Sequence, residues 1–122
     1  MTIGSNELTE PAVHDVRHQS EGVEIDLSIP ENLFYLRGHF PGEPVLPGVV
    51  QIDWAVQLAD RYLDTGLGGA RNFKVKFRSV ITPGSDLTIA LKKPAGNGRL
   101  SFEYRQGTNI LSSGSIDLEK DR

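Results

Sequence analysis

Between Val23 and Ile29 apolar and polar residues alternate strictly: Val23, Ile25, Leu27 and Ile29 are separated by Glu24, Asp26 and Ser28. A period of two predicts a half-buried strand, and Pro30 ends it. The preceding AVHDVRHQ can pair back across Ser20-Glu21-Gly22 as a hairpin. ENLFYL, which follows, reads as a short helical turn. From Gly48 the period changes. Val49, Val50, Ile52, Ala55, Val56, Ala59, Tyr62 and Leu63 recur at spacings of three and four, and Trp54 and Leu58 widen the apolar surface to most of the circumference. A helix apolar nearly all round is a buried one. Pro47 suits its start, and Gly66 or Gly68 its end. Beyond it, NFKVKFR, LTIALKK, RLSFEYR and ILSSGSIDL alternate or carry β-branched and aromatic residues, with turn chemistry in PGSD, PAGNG and QGTN between them. One long helix covers so many strands only if the sheet curls around it. The pattern therefore predicts an α+β domain, a curved antiparallel sheet wrapped on a central helix.

Composition narrows the classes. The 122 residues suit a single domain, with polar and loose ends over about 1–11 and 119–122. A formal charge of −3 disfavours wholesale nucleic-acid binding. With no cysteine, disulfides, thiolate nucleophiles and cysteine zinc sites are excluded. No apolar run approaches the roughly 18 residues of a membrane span. MTIGSNELTEPAV lacks a signal-peptide pattern, so a cytoplasmic location is expected. His14 and His18 have metal-like spacing only on a helix; on a strand they lie about 13 Å apart, so no metal is expected.

The candidate chemistry gathers in GHFPGEPVLPG, residues 38–48, which holds three of the thirteen glycines and three of the seven prolines. Each proline fixes its own φ and pushes the preceding residue to extended geometry. Such a loop holds His39 with little entropy left to lose, as a general base requires. The first amides of the following helix have no partner inside it and carry partial positive charge. Gly48 supplies one of them without a side chain in the way, a candidate donor for a developing oxyanion. Asp53 stands in an otherwise apolar stretch, where Ile52, Trp54 and Ala55 would desolvate it. Burial raises a carboxyl pKa and a helix N-terminus lowers it. Gln57, four residues on, can hydrogen-bond that carboxyl. A base, an oxyanion donor and an acid suit proton abstraction next to a thioester carbonyl, followed by loss of a hydroxyl.

HFPGEPVLPGVVQIDWAVQ, residues 39–57, resembles the active-site stretch of the 3-hydroxyacyl-(acyl carrier protein) dehydratases, and VKFRSVITPGSDLTIAL, residues 75–91, resembles the same family. The resemblance implies a hot-dog fold, in which an antiparallel sheet wraps a long helix. It implies that His39 takes the α-proton, that the Val45 carbonyl orients the His39 ring, that the Gly48 amide binds the thioester oxygen, and that Asp53 protonates the leaving hydroxyl. Val45, Gln57 and Trp54 are the substrate-orienting candidates, Trp54 as core or tunnel wall. The resemblance further implies a homodimer whose sites each draw on both subunits. It implies no cofactor beyond the phosphopantetheine arm of an acyl carrier protein. Aspartate stands where the most widespread branch has glutamate. QIDWAVQ is most similar to the short dehydratases of specialised pathways such as aryl polyene synthesis, and the branch that isomerises trans-2 to cis-3 double bonds also carries aspartate. Lys74, Lys76 and Arg78 share a strand face, and with Arg37 and Arg71 they form either a docking patch for an acidic carrier protein or a solvated face. Two other functions compete: acyl-thioester hydrolysis, for which His39 is superfluous, and a non-catalytic acyl-binding subunit, which has no need of both His39 and Asp53.

Overall fold

A computed structural model describes residues 10–31, 45–63, 70–93 and 99–118. The elements run β1 (Ala12–Gln19), β2 (Gly22–Ser28), α1 (Gly48–Leu63), β3 (Ala70–Phe77), β4 (Asp86–Lys92), β5 (Arg99–Gln106) and β6 (Asn109–Leu118). The strands form one six-stranded sheet in the order β1-β2-β4-β5-β6-β3, and every neighbouring pair is antiparallel. The expected hairpin, helix and four following strands are all present. ENLFYL and the glycines at 66 and 68 fall outside the described residues, Glu31 excepted.

Alternation decides which side of each strand meets the helix. Val23, Ile25 and Leu27 of β2, Leu87, Ile89 and Leu91 of β4, and Leu100, Phe102 and Tyr104 of β5 are all buried. Against them α1 sets Val50, Ile52, Trp54, Ala55, Leu58 and Ala59. Ala55 and Ala59 are wholly inaccessible, and their small side chains let the helix backbone lie close to the sheet. The end of β2 is tied to the turn before β4 through Gly84 N–H to the Ile29 carbonyl (2.7 Å) and Ile29 N–H to the Ser85 carbonyl (2.9 Å). Gly84 has φ near 80°, which an L side chain rarely adopts.

One element carries an irregularity, and one expectation is corrected. β1 does not alternate simply: Val13 pairs with Leu27 but Asp15 with Asp26, so His14 is an extra residue in a bulge. Val13 and Val16, three apart, both pack on the core. The helix is also not buried all round. Val49, counted on the apolar face, is 71% exposed, and with the exposed Asp53, Gln57 and Arg61 it forms an open stripe at four-residue spacing. No helix among the described residues is long and apolar enough to cross a membrane.

Candidate active site

The chain enters α1 under tight control. Leu46 N–H donates to the Ile81 carbonyl (2.7 Å), and the Pro47 carbonyl accepts from the amides of Val50 (3.1 Å) and Gln51 (3.2 Å). Leu46 and Ile81 are both buried. Gly48 opens the helix, so its amide has no acceptor inside it and lies at the positive end of the dipole. The Phe77 ring stands where a side chain of Gly48 would begin: a Cβ built there would come 2.5 Å from Cζ and 3.0 Å from Cε1 of that ring. A side chain here requires the Phe77 ring, which is half exposed, to move.

A single cross-strand row seats this first turn. Tyr104 of β5 stands opposite Ser112 of β6, and Ser112 stands opposite Phe77 of β3. Tyr104 Oη donates to the Gln51 carbonyl at 2.7 Å. Ser112 Oγ donates to Gln51 Oε1 at 2.7 Å. Gln51 Nε2 in turn donates to the Leu46 carbonyl at 3.3 Å. Gln51 and Ser112 are buried, and Tyr104 is wholly so. Burial, and after it the charge of Asp53, pushes the Tyr104 phenol far above its usual range, so it stays a proton donor. Gln51, Ser112, Tyr104 and Phe77 were not singled out by sequence reasoning. The one signal was a glutamine inside an apolar helical run.

Asp53 lies on the open stripe, and Gln57 Nε2 donates to its Oδ2 at 2.6 Å, as expected from the spacing. The expected desolvation of Asp53 by Ile52, Trp54 and Ala55 is not found in the single chain. Those three turn inward and the carboxyl is exposed, because successive helix residues step by about 100°. Asp53 stands about 7 Å along the axis from Gly48 and about 140° around it. Val45 is half-buried just before the turn. Trp54 is buried and lines a small cleft with Pro11, Val13, Gln57 and Leu58. His39 and Arg37 lie outside the described residues. Arg71 contributes backbone to β3, and Lys74, Lys76 and Arg78 are exposed.

The far face of the sheet is ionic. Arg17 binds both oxygens of Asp26, at 2.8 and 2.9 Å, and Arg105 pairs with Glu24 at 3.1 Å. A groove of about 370 Å³ runs over Ala90 between Glu24, Glu103 and Arg105. Among the described residues no cluster of three metal-ligating side chains occurs. The helix N-terminus with Asp53 is therefore where the candidate chemistry concentrates.

Among the described residues a long helix packs on a six-stranded antiparallel sheet, the arrangement of the hot-dog class. Within that class the chain belongs to the ApeI-like family: residues 15–115 match the family profile, described as ApeI dehydratase. It is 39% identical over 80 residues to the 3-hydroxyacyl-(acyl carrier protein) dehydratase FabZ of Clostridium novyi (strain NT), a match covering 56% of each chain. It is 34% identical over 88 residues to the bifunctional enzyme LpxC/FabZ of Porphyromonas gingivalis, spanning 66% of this chain and 18% of that one. The chain thus matches little more than half the length of such relatives at most. Among solved structures, the dehydratase heterocomplex ApeI:P from Xenorhabdus doucetiae superposes with a TM-score of 0.83 at 30% identity, covering 91% of this chain and 99% of that one. Thioesterase superfamily member 2 from Mus musculus superposes at 0.68 with 12% identity, covering 88% of this chain and 87% of that one, a likeness of fold alone.

Proposed function

We propose that the protein removes water from (3R)-3-hydroxyacyl thioesters carried on the phosphopantetheine arm of an acyl carrier protein, giving trans-2-enoyl thioesters. The observation that carries this is the placement of Asp53 on the open stripe of α1, a turn and a half from the Gly48 amide, in a chain of a dehydratase family. His39 takes the proton from C2, and the electron pair develops on the thioester oxygen, which the Gly48 amide receives. The pair then returns to form the C2–C3 double bond as the C3–O bond breaks, a proton carried by the Asp53 carboxyl passes to the departing hydroxyl, releasing water, and the proton taken by His39 is returned to Asp53 through solvent to close the cycle. The Val45 carbonyl holds the His39 ring, and Gln57 orients the Asp53 carboxyl. Aspartate followed by tryptophan supports a specialised acyl or polyene pathway, and the exposed Lys74, Lys76 and Arg78 support docking of an acidic carrier.

A second subunit completes each site. Supporting this, Val49, Phe73, Phe77 and Val80 are all more than half exposed in the single chain, and β3 is an edge strand. The partner is a second copy, or a paralogue as the heterocomplex of the Xenorhabdus relative suggests. The test is incubation of the purified protein with a (3R)-3-hydroxyacyl carrier protein, followed by mass. Loss of one water, reduced about 10²- to 10⁴-fold in both His39→Ala and Asp53→Asn, is expected. Release of free acid would instead indicate a thioesterase. No change, with the acyl carrier still bound, would indicate a non-catalytic subunit.

A further inference from the structure

Gln51 has no part in the chemistry proposed above, yet it is the most heavily bonded side chain of the first turn. A buried amide is unfavourable unless its hydrogen bonds are made, and an apolar residue would fill the same helical position without that demand. Here the bonds are made to three places: the Leu46 carbonyl before the helix, Ser112 on β6, and Tyr104 on β5 through the Gln51 backbone.

What these bonds fix follows from peptide planarity. Leu46 N–H and the Val45 carbonyl belong to one rigid plane, and N–H and C=O point in opposite directions across it. The bond from Leu46 N–H to the Ile81 carbonyl therefore aims the Val45 carbonyl. The next plane, Leu46–Pro47, is held by Gln51 Nε2 on its carbonyl. Pro47 then fixes its own φ, and Gly48 follows directly. The plane that carries the Gly48 N–H is the one after it, Pro47–Gly48, whose carbonyl accepts from the Val50 and Gln51 amides; the Leu46–Pro47 plane held by Gln51 joins it to the plane held by Ile81. Gln51 is itself pinned by two adjacent residues of the β5–β6 ladder.

We propose that Gln51, held by Ser112 and Tyr104, is a positioning residue: by holding the Leu46–Pro47 plane it fixes how the Val45 carbonyl on one side and the Gly48 amide on the other are set relative to each other. Its kinetic consequence rests on the dehydratase reading; its geometric consequence does not. The experiment compares wild type, Ser112→Ala and the double variant Gln51→Leu/Ser112→Ala in three readouts: thermal midpoint, kcat and KM on a 3-hydroxyacyl carrier protein, and hydrogen exchange of the Gly48 amide by NMR. Ser112→Ala leaves Gln51 Oε1 buried without its donor and lowers the thermal midpoint. The double variant removes Oε1 together with its donor but leaves the Leu46 carbonyl without Gln51 Nε2, so the midpoint recovers in part. Positioning predicts that kcat does not recover: it stays about ten- to a hundredfold down, with KM within about twofold. Gly48 exchange is about tenfold faster in the double variant. If kcat and Gly48 exchange return with the midpoint, Gln51 is a packing residue and the proposal fails. If wild type makes no enoyl product, the dehydratase reading fails, and Gly48 exchange alone decides the positioning role.

Discussion

Replacing Gly48 by alanine separates packing from chemistry at the helix start. The new Cβ would sit 2.5 Å from Phe77 Cζ, more than about 1 Å inside normal carbon–carbon contact. Overpacking of this kind costs about 1–3 kcal/mol. Phe77 is 52% exposed, so its ring has solvent to swing into, and the cost falls at the low end, about 1 kcal/mol. Alanine returns up to about 1 kcal/mol of helix propensity. The two nearly offset, and the thermal midpoint should stay within about 4 °C of wild type. Turnover, by contrast, should fall about 10²-fold or more, because the methyl group occupies the approach to the Gly48 amide. The assay is a thermal melt beside single-turnover dehydration, for Gly48→Ala, Phe77→Ala and the double variant. Removing the ring relieves the clash, so the double variant should melt no lower than Phe77→Ala and still turn over poorly. If the double variant dehydrates as fast as Phe77→Ala alone, glycine serves only the ring, and the Gly48 amide is not the oxyanion donor. A fall beyond about 8 °C in Gly48→Ala that Phe77→Ala does not relieve would show that backbone, not the ring, resists the methyl group.

Gly114→Ala should behave differently, because its Cβ meets the Lys74 carbonyl oxygen and lies 3.1 Å from Val75 Cα; backbone cannot swing aside, so the β3–β6 pairing must open at a cost of about 3 kcal/mol. A midpoint lowered by about 10 °C is expected, and a change of under about 3 °C would refute the rigid-ladder account. On the far face, the Arg17 guanidinium first, and the Thr88 hydroxyl second, hold the Asp26 carboxyl down to about 2 from 3.8. A depressed carboxyl stabilises the fold above its unfolded pKa and loses that contribution as pH falls through the folded value. The midpoint gap between wild type and Asp26→Asn should therefore be full at pH near 5 and close between 3.8 and about 2. The Asp26 side chain is 40% exposed, so solvent screening keeps that gap under about 1 kcal/mol. A gap that widens in acid would refute the pairing.

The order of elements was legible because each segment's apolar period answers a local question: which face is turned inward. Val23, Ile25, Leu27 and Ile29 answer it without ambiguity, and all four are buried. Where two local signals conflict, the pattern misleads. Val13 and Val16 are three apart, which fits neither strand period nor a helix so short, and the bulge at His14 resolves the conflict by adding one residue to the strand. Val49 illustrates a second limit. Hydrophobicity shows that a residue avoids water but not what covers it, and Val49 is uncovered within its own chain. The same stripe carries Asp53, so the carboxyl expected to be buried is open on the single chain.

The seat of the helix was illegible for a different reason. Strand patterns give the parity of each residue but not its neighbour across the ladder. The row Tyr104–Ser112–Phe77 exists only because β5, β6 and β3 meet in one register. Slipping β6 by a single residue would bring Leu111 or Ser113 opposite Tyr104 and turn every β6 side chain to the other face. The hydroxyl that holds Gln51 would then be gone. In ILSSGSIDL, Ser112 is one of three serines with nothing to distinguish them, and in VVQIDWAVQ Gln51 has no visible partner. Each becomes meaningful only when long-range pairing places them together. The acid and the glycine carry a local signature, whereas the residues that hold them in place are specified by register, and a single linear sequence displays register only through the fold it produces.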